Sequence, residues 1–238
     1  REGDVFVWGE VGPGGMNGVA DVATAPPARA SALSDRRVSL PPHAAAAVAA
    51  GGRHALVTSV DGELWAWGSG KFGQLGLGDT EGRRAPTKID TLRGVATGCC
   101  GEDHSAAIAD SLGSGPAVLV WGRCEYGELG LGCSVTAAPV PALCSALCAH
   151  RVLDIACGFY HSACVTDDGS AWAWGWGREG QLGQHETSAV PLHIEELAET
   201  RAERVACGHR STLVLSREGD VFVWGEVGPG GMNGGADV

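Results

Sequence analysis

Short apolar runs separated by glycine-containing turns follow one another along most of the chain. Residues 64–67 and 171–174 read Leu-Trp-Ala-Trp and Ala-Trp-Ala-Trp, so large side chains alternate with small ones. In a β-strand, residues two apart share a face, which places both tryptophans of each run together. Asp61-Gly62 and Asp168-Gly169 precede these runs and predict tight hairpin turns. Helical periodicity is weak even in 194–204, where we expect a loop with at most one helical turn. The pattern predicts an all-β protein.

The apolar runs belong to a repeating unit of about 50 residues, the length of one β-propeller blade. The dipeptide Trp-Gly recurs at intervals of 50 to 59 residues, beginning at Trp8, Trp67, Trp121, Trp174 and Trp224. Several copies have Gly-x-x-His before the hairpin and a loop of the type Gly-Gln-Leu-Gly after Trp-Gly. Units built of short strands and glycine turns are typical of propeller blades. We therefore interpret the five tryptophans as structural positions of the blades.

Three histidines occupy one position of the repeat, His54, His104 and His161, and Ser211 takes that place in the last unit. A catalytic histidine is expected once per chain, paired with a nucleophile or a carboxylate. A histidine that recurs in each blade is better explained as a hydrogen-bonding group that ties strands together. Ser105 and Ser162 follow two of these histidines directly, but neighbouring strand residues face opposite ways and cannot pair.

These units resemble the repeats of the regulator of chromosome condensation family, whose pattern combines Gly-x-x-His-Thr/Ser, a hairpin, Trp-Gly and Gly-Gln-Leu-Gly. The resemblance covers nearly the whole chain. It implies a propeller of seven blades, each a four-stranded sheet. Because only four intervals separate Trp8 from Trp224, we expect a partial arc of about four blades from a larger propeller. An unusually tight ring and half of a dimer are the alternatives, and exposed blade edges would favour self-association.

We expect a single repeat domain over 1–238, with an insertion rich in alanine and proline near its start. The insertion is expected to be a solvated excursion, or otherwise a binding loop. Residues 1–22 and 217–238 differ only at Val19 and Gly235, which suggests a duplication or an overlap. The predicted boundaries are 1–19 for a partial blade, 20–47 for the insertion, 48–94, 95–151 and 152–204 for three repeats, and 205–238 for a partial repeat.

Charge and composition narrow the classes of partner. The chain has 28 acidic and 17 basic residues and a formal net charge of -11, which argues against direct binding to nucleic acid. No apolar segment is long enough for a membrane span. The nine cysteines suggest reduced thiols, and hence an intracellular protein of the cytoplasm or the nucleus.

A search for catalytic, cofactor and metal sites gives no candidate. Residues 68–73 and 175–180 match Gly-x-Gly-x-x-Gly, but the Gln-Leu-Gly that follows each match is no helix start, so we expect no dinucleotide cofactor. The chain has no Cys-x-x-Cys, and Cys157 and Cys207 suit packing better than zinc binding. We expect no bound metal and no enzymatic activity.

The strong motifs are all architectural, so we expect a non-catalytic scaffold for protein–protein interactions whose loops select the partner. The family resemblance implies two alternatives, a guanine-nucleotide exchange factor for a small Ran-like GTPase and a regulatory propeller of a larger ubiquitin ligase. A light-sensing member of the family uses tryptophans one residue after the repeat glycine. Here Gly52, Glu102, Phe159 and His209 stand there, which argues against light sensing. The partner-binding residues are not assigned, although Trp176 is a candidate exposed anchor in a loop.

Overall fold

A computed structural model describes residues 45–110, 113 and 115–226, together with the backbone of two short strands near the start of the chain. These two strands, β1 (Val5–Phe6) and β2 (Arg37–Val38), pair antiparallel with each other. The predictions for Trp8 and for most of the segments 1–19 and 20–47 lie outside the described residues, as do the residues after 226.

The remaining strands form four successive antiparallel sheets, which we call blades 1 to 4. Blades 1 to 3 have four strands each, in chain order from one edge to the other, and blade 4 has three within the described residues. Blade 1 contains β3 (Ala45–Ala50), β4 (His54–Ser59), β5 (Leu64–Gly68) and β6 (Arg83–Lys88); blade 2 contains β7 (Val95–Cys100), β8 (His104–Ala109), β9 (Ala117–Arg123) and β10 (Ala137–Leu143); blade 3 contains β11 (Val152–Cys157), β12 (His161–Thr166), β13 (Ala171–Gly175) and β14 (Ser188–His193); blade 4 contains β15 (Ala202–Cys207), β16 (Ser211–Ser216) and β17 (Val221–Gly225).

Each blade repeats the same local construction. In blades 1 and 3 the hairpin between the second and third strands turns at the predicted Asp-Gly positions, and Gly62 and Gly169 adopt φ of 73° and 91°. Such positive φ values favour glycine, because it lacks a Cβ. The pairing of the first two strands shifts register at one repeated position, for example between Ala45 and Ala47 in blade 1. The all-β propeller fold predicted from the repeat is confirmed.

The core lies between neighbouring blades. The first strand of each blade packs against the first two strands of the preceding blade. At the junction of blades 1 and 2, Leu56, Leu64 and Ala66 of one sheet pack with Ala107 and Trp121 of the next. Because apolar side chains of one blade are buried by the next, neighbouring blades stabilise each other.

Two details bear on the predicted segments. The segment 194–204 contains a short 3-10 turn, Glu195–Leu197, and the first residues of β15 from Ala202, so the expected loop ends at that strand. Blade 2 has the counterpart of the turn at Ser145–Leu147. Strand β3 begins at Ala45, ahead of the predicted repeat boundary at 48, because the alanine run pairs with β4 from Ala45 opposite Ser59. Within the described residues, no helix is long and apolar enough to cross a membrane.

Candidate functional site

The repeated histidines join one blade to the next. His54 Nε2 lies 2.8 Å from Ser105 Oγ, and the Ser105 hydroxyl donates to the backbone carbonyl of Gln74 at 2.9 Å. Trp121 Nε1 donates to the same carbonyl, also at 2.9 Å. Since the hydroxyl proton of Ser105 points to Gln74, the histidine donates from Nε2. One carbonyl and one hydroxyl thus connect four residues from two blades.

The same network occurs at the next two blade junctions. In each, a histidine contacts the hydroxyl of the following blade, and that hydroxyl and a tryptophan both donate to one loop carbonyl. The residues are His104, Ser162, Glu128 and Trp174 between blades 2 and 3, and His161, Thr212, Gln181 and Trp224 between blades 3 and 4.

Burial decides what these histidines can do chemically. The side chains of His54, Ser105 and His161 are 0% exposed, so no substrate reaches them. A serine and a histidine in contact usually suggest a nucleophile and its base. Here the pair lies inside a blade junction, and its hydroxyl already donates to a backbone carbonyl. This geometry is consistent with the structural role we expect for the repeated positions, Trp67 included, which is also buried.

Burial also sets the protonation of two of these histidines. It lowers the pKa of His54 and of His161 from 6.5 to about 3, with a smaller contribution from the nearby His104. Both rings are therefore neutral in the folded protein at physiological pH. Within the part of the chain that the structure describes, neither Nδ1 atom has a hydrogen-bond partner, as expected for rings that carry their proton on Nε2.

We expect His54 and His161 to lower the stability of the protein as the pH falls below about 6.5. The unfolded chain takes up protons on His54 and His161 there, whereas the folded chain does not until about pH 3. Stability from these groups is complete above pH 6.5, and the two histidines together should lower the free energy of unfolding by about 3 kcal/mol between pH 7.5 and pH 5.5. Urea unfolding at both pH values measures the loss.

The control for this pH effect is the double variant His54→Gln/His161→Gln, because glutamine keeps a side-chain N–H donor but does not titrate. Between the two pH values, the free energy of unfolding of this variant should fall by well under half as much as that of the original protein. An equal loss in both proteins would assign the pH dependence to other groups.

A partly exposed cluster of aromatic rings lies at one edge of blades 2 to 4. This edge carries the turns between first and second strands and the loops after third strands, which come together because the strands alternate in direction. We call it the aromatic cluster, and its members are Tyr126, Phe159, Tyr160, Trp176 and His209.

The rings of the aromatic cluster contact one another in a chain. Tyr126 packs against Trp176 with ring centroids 4.7 Å apart and against Tyr160 at 5.1 Å. Phe159 contacts Tyr160 at 4.3 Å and His209 at 4.0 Å. These contacts cross from blade 2 through blade 3 to blade 4. Centroid separations of this size are favourable for aromatic pairs, so the cluster is held in shape before any partner arrives.

Arginines border the cluster and bring charge to it. The Arg123 guanidinium lies 5.9 Å from the centroid of Tyr126 and 5.5 Å from that of Tyr160, and it pairs with Asp103 at 3.7 Å and with Glu125. Such cation–π contacts fix the guanidinium over the rings. Burial raises the pKa of Tyr160, so its phenol stays neutral.

A small cavity opens beside the rings. It measures about 100 Å³ and is lined by members of the aromatic cluster together with Glu179, Gln181 and Arg210. Arg210 Nη1 forms an ion pair with Glu226 at 3.0 Å and lies 3.9 Å from Glu179 Oε1. The cavity is too small for a drug-sized ligand, which needs about 300 Å³ or more. It is large enough for the end of one side chain from a protein partner.

The sequence indicated Trp176 but not its neighbours. We expected an exposed anchor, whereas the ring is half-buried against Tyr126 and its indole N–H donates to Glu179. Tyr126, Tyr160 and Arg123 were missed because they occupy positions that vary among the repeats. Their only sequence signal is that each sits beside a repeat motif, Arg123 at the end of β9 and the two tyrosines in loops.

The sites that the sequence search rejected can be placed in the structure. After the Gly-x-Gly-x-x-Gly matches the chain forms tight turns, in which Gly76 N–H donates to Gly73 O and Gly183 N–H donates to Gly180 O. All nine cysteines are free. Among the residues that the structure describes, no three histidine, cysteine or acidic side chains come together to hold a metal ion.

Comparison with known families agrees with the repeat seen in the fold. A model of the "Regulator of chromosome condensation (RCC1) repeat" matches residues 61–108, 117–165 and 168–215, and a second model with that description matches 45–74 and 152–181. The chain belongs to the RCC1 repeat family. The family predicted from Trp-Gly and Gly-x-x-His is thereby confirmed.

Two relatives with similar identity to this chain are named for different activities. The chain is 35% identical over 222 residues to the ultraviolet-B receptor UVR8 of Arabidopsis thaliana, a match that covers 92% of this chain and 47% of the receptor. It is 35% identical over 185 residues to the E3 ubiquitin-protein ligase HERC2 of Homo sapiens, covering 74% of this chain and 4% of the ligase.

Among solved structures, human WBSCR16 superposes with a TM-score of 0.70 at 27% identity, over 80% of this chain and 50% of that one. The chain thus spans about half the length of UVR8 and of WBSCR16.

Proposed function

We propose that this chain is a non-catalytic protein-binding propeller module and that the aromatic cluster is the centre of its contact surface. The observation that carries the proposal is the concentration of partly exposed tyrosine, tryptophan and arginine at one edge of three blades. These three residue types dominate the binding energy of protein interfaces. The buried networks between blades supply the rigid support beneath them.

The relatives support a binding role rather than one particular reaction. A protein named as a receptor and one named as a ubiquitin ligase share similar identity with this chain. The repeat is common to both although the activities in their names differ, as expected where function is carried by loops on a shared framework. An intracellular location, in the cytoplasm or the nucleus, remains a prediction.

Trp176→Ala is expected to weaken partner binding by at least about 30-fold, the loss of about 2 kcal/mol typical of a central aromatic residue. The matched control is Val190→Ala, which shortens an exposed side chain on the fourth strand of blade 3. Immobilised original and variant chains are presented with a soluble proteome, and bound proteins are quantified by mass spectrometry. At least one protein, confirmed after purification by titration calorimetry, should be retained by the original chain and by Val190→Ala but not by Trp176→Ala.

Melting curves must show that Trp176→Ala is folded. If every retained protein binds the folded Trp176→Ala and Tyr126→Ala variants as it binds the original chain, the aromatic cluster is not the contact surface. If Val190→Ala loses a retained protein to the same extent as Trp176→Ala, the contact surface lies on a different face of the propeller.

Nucleotide exchange on a Ran-like GTPase is the alternative that the family implies, and it has a direct assay. Release of a fluorescent GDP analogue from the GTPase is followed with and without the chain. Under our proposal the chain leaves the rate unchanged. Acceleration that is lost in Trp176→Ala would assign exchange to the same surface and replace the scaffold proposal. A regulatory propeller within a larger ubiquitin ligase is a form of the same binding role. The match with this chain covers only 4% of HERC2.

A further inference from the structure

Two free cysteines from neighbouring blades lie in contact. Cys99 belongs to β7 of blade 2 and Cys157 to β11 of blade 3, and their sulfur atoms are 3.1 Å apart. The two residues are 58 positions apart along the chain. Their contact follows from the packing of each blade's first strand against that of the preceding blade. A disulfide needs its two sulfur atoms to approach by only about another 1 Å.

The surroundings of Cys157 favour its thiolate. Ser162 Oγ lies 3.9 Å from Cys157 Sγ, and Ser162 in turn contacts His104 at 3.0 Å. Burial opposes ionisation of Cys157, but the hydrogen bond from Cys99 and the nearby His104 outweigh it and lower its pKa. The hydrogen bond to Cys157, with burial, raises the pKa of Cys99, which keeps its proton. Of the two thiols, Cys157 is therefore the better nucleophile.

Access separates this pair from three of the other cysteines. Cys99 is partly exposed and Cys157 is 9% exposed. Cys124, Cys144 and Cys164 are more deeply buried. Burial raises the pKa of each of those three, which makes them poor nucleophiles. The pair is therefore more accessible to a small oxidant than those three cysteines are.

We infer that Cys99 and Cys157 form a site of reversible oxidation, at which a hydroperoxide links blades 2 and 3 through a disulfide. The Cys157 thiolate attacks one oxygen of the hydroperoxide, the O–O bond breaks, and the other oxygen leaves as an alcohol or water with a proton. Cys99 then attacks the resulting sulfenic sulfur, the S–O bond breaks, and water leaves. Two thiols and one hydroperoxide give one disulfide, one alcohol or water, and one further water. An external thiol reverses the link by exchange.

The link would lie directly beneath the aromatic cluster. Strands β7 and β11 lead within two residues into the turns that carry Glu102 and Phe159, where Glu102 N–H donates to the Phe159 carbonyl at 3.4 Å. A disulfide here would hold the two turns at a fixed spacing. The site stands on the sulfur geometry and does not depend on the proposed binding role.

The test uses the full chain treated with about one equivalent of hydrogen peroxide. Remaining thiols are then alkylated, and a non-reduced digest is sequenced by mass spectrometry. We expect nine free thiols to fall to seven, one peptide pair joined through Cys99 and Cys157, and recovery with dithiothreitol. Because the link closes a loop of 58 residues, the melting temperature should rise by about 5 to 10 °C.

Alanine variants provide controls that should fold. The repeat position of Cys99 is occupied in the other blades by Ala49, Ala156 and Ala206, and that of Cys157 is occupied in blade 1 by Ala50. Cys99→Ala and Cys157→Ala should therefore fold and lose the cross-link. Cys133→Ala, which removes an exposed cysteine, should still lose two thiols when it is treated with hydrogen peroxide. The inference is overturned if the linked peptides join other cysteines or other chains, if Cys157 is oxidised without a link, or if Cys99→Ala leaves the thiol loss unchanged.

Discussion

Replacing Trp121 with alanine is expected to lower the free energy of unfolding by about 4 kcal/mol, the middle of the range for a buried tryptophan. The Trp121 side chain is 0% exposed and belongs to the apolar cluster between blades 1 and 2. Its Nε1 donates to Gln74 O, and the ring packs on Gly76, where a Cβ would lie 2.9 Å from Nε1. Truncation removes both the packing and the hydrogen bond at one blade junction.

Two further variants separate these contributions in urea unfolding followed by circular dichroism. Trp121→Phe keeps most of the packing, and Gln74 O still accepts from Ser105, so the loss should be about half as large. Trp176→Ala removes a tryptophan that is only half-buried in a surface loop, and we expect about 1 kcal/mol. Equal losses for Trp121→Ala and Trp176→Ala would show that the blade junctions do not control stability.

The blade architecture was readable from the sequence because it depends on local chemistry. Asp61-Gly62 predicts a hairpin since glycine tolerates the positive φ of that turn, and Gly62 has it. The alternation in 64–67 places Trp65 and Trp67 on one face, and both pack in the same apolar cluster. Such features need only neighbouring residues, and their recurrence every 50 to 59 residues predicts the propeller.

The partners across the blade junctions were not readable in the same way. The alternation of strand residues correctly separated His104 from Ser105, but it says nothing about contacts with another sheet. The actual partner of His104 is Ser162, 58 residues away, and that of His54 is Ser105, 51 residues away. Each offset is one repeat plus one residue, so the rule follows from the period once the order of the blades is known.

The aromatic cluster was the least predictable feature, for a physical reason. Repeat analysis selects positions that recur, and a contact surface is built from positions that do not. Tyr126 has Glu179 as its counterpart in blade 3, and Phe159 has Gly52 in blade 1. Only the spatial convergence of turns from three blades shows that the aromatic residues form one surface.

Gly101→Ala is expected to lower the free energy of unfolding by about 3 kcal/mol, because the added methyl group has no room. A Cβ at Gly101 would overlap the His104 ring and lie 2.5 Å from the carbonyl oxygen of Gly158. Neither neighbour can move cheaply. His104 is held by Ser162 in the next blade, and the carbonyl belongs to the backbone. The repeat glycine is thus required by the histidine three residues later.

Gly52→Ala is the matched control, one residue after the repeat glycine of blade 1. Its Cβ would meet the carboxylate of Glu102, which is the free end of a partly exposed side chain and can turn away. We expect a change within about 0.5 kcal/mol. In a chain that already carries His104→Ala, adding Gly101→Ala should lower the free energy of unfolding by less than Gly101→Ala does alone. Removal of the ring leaves space for the methyl group. If Gly101→Ala costs the same with and without His104, the glycine is needed for the backbone approach to Gly158 alone, and the link between Gly-x-x-His spacing and blade junctions fails.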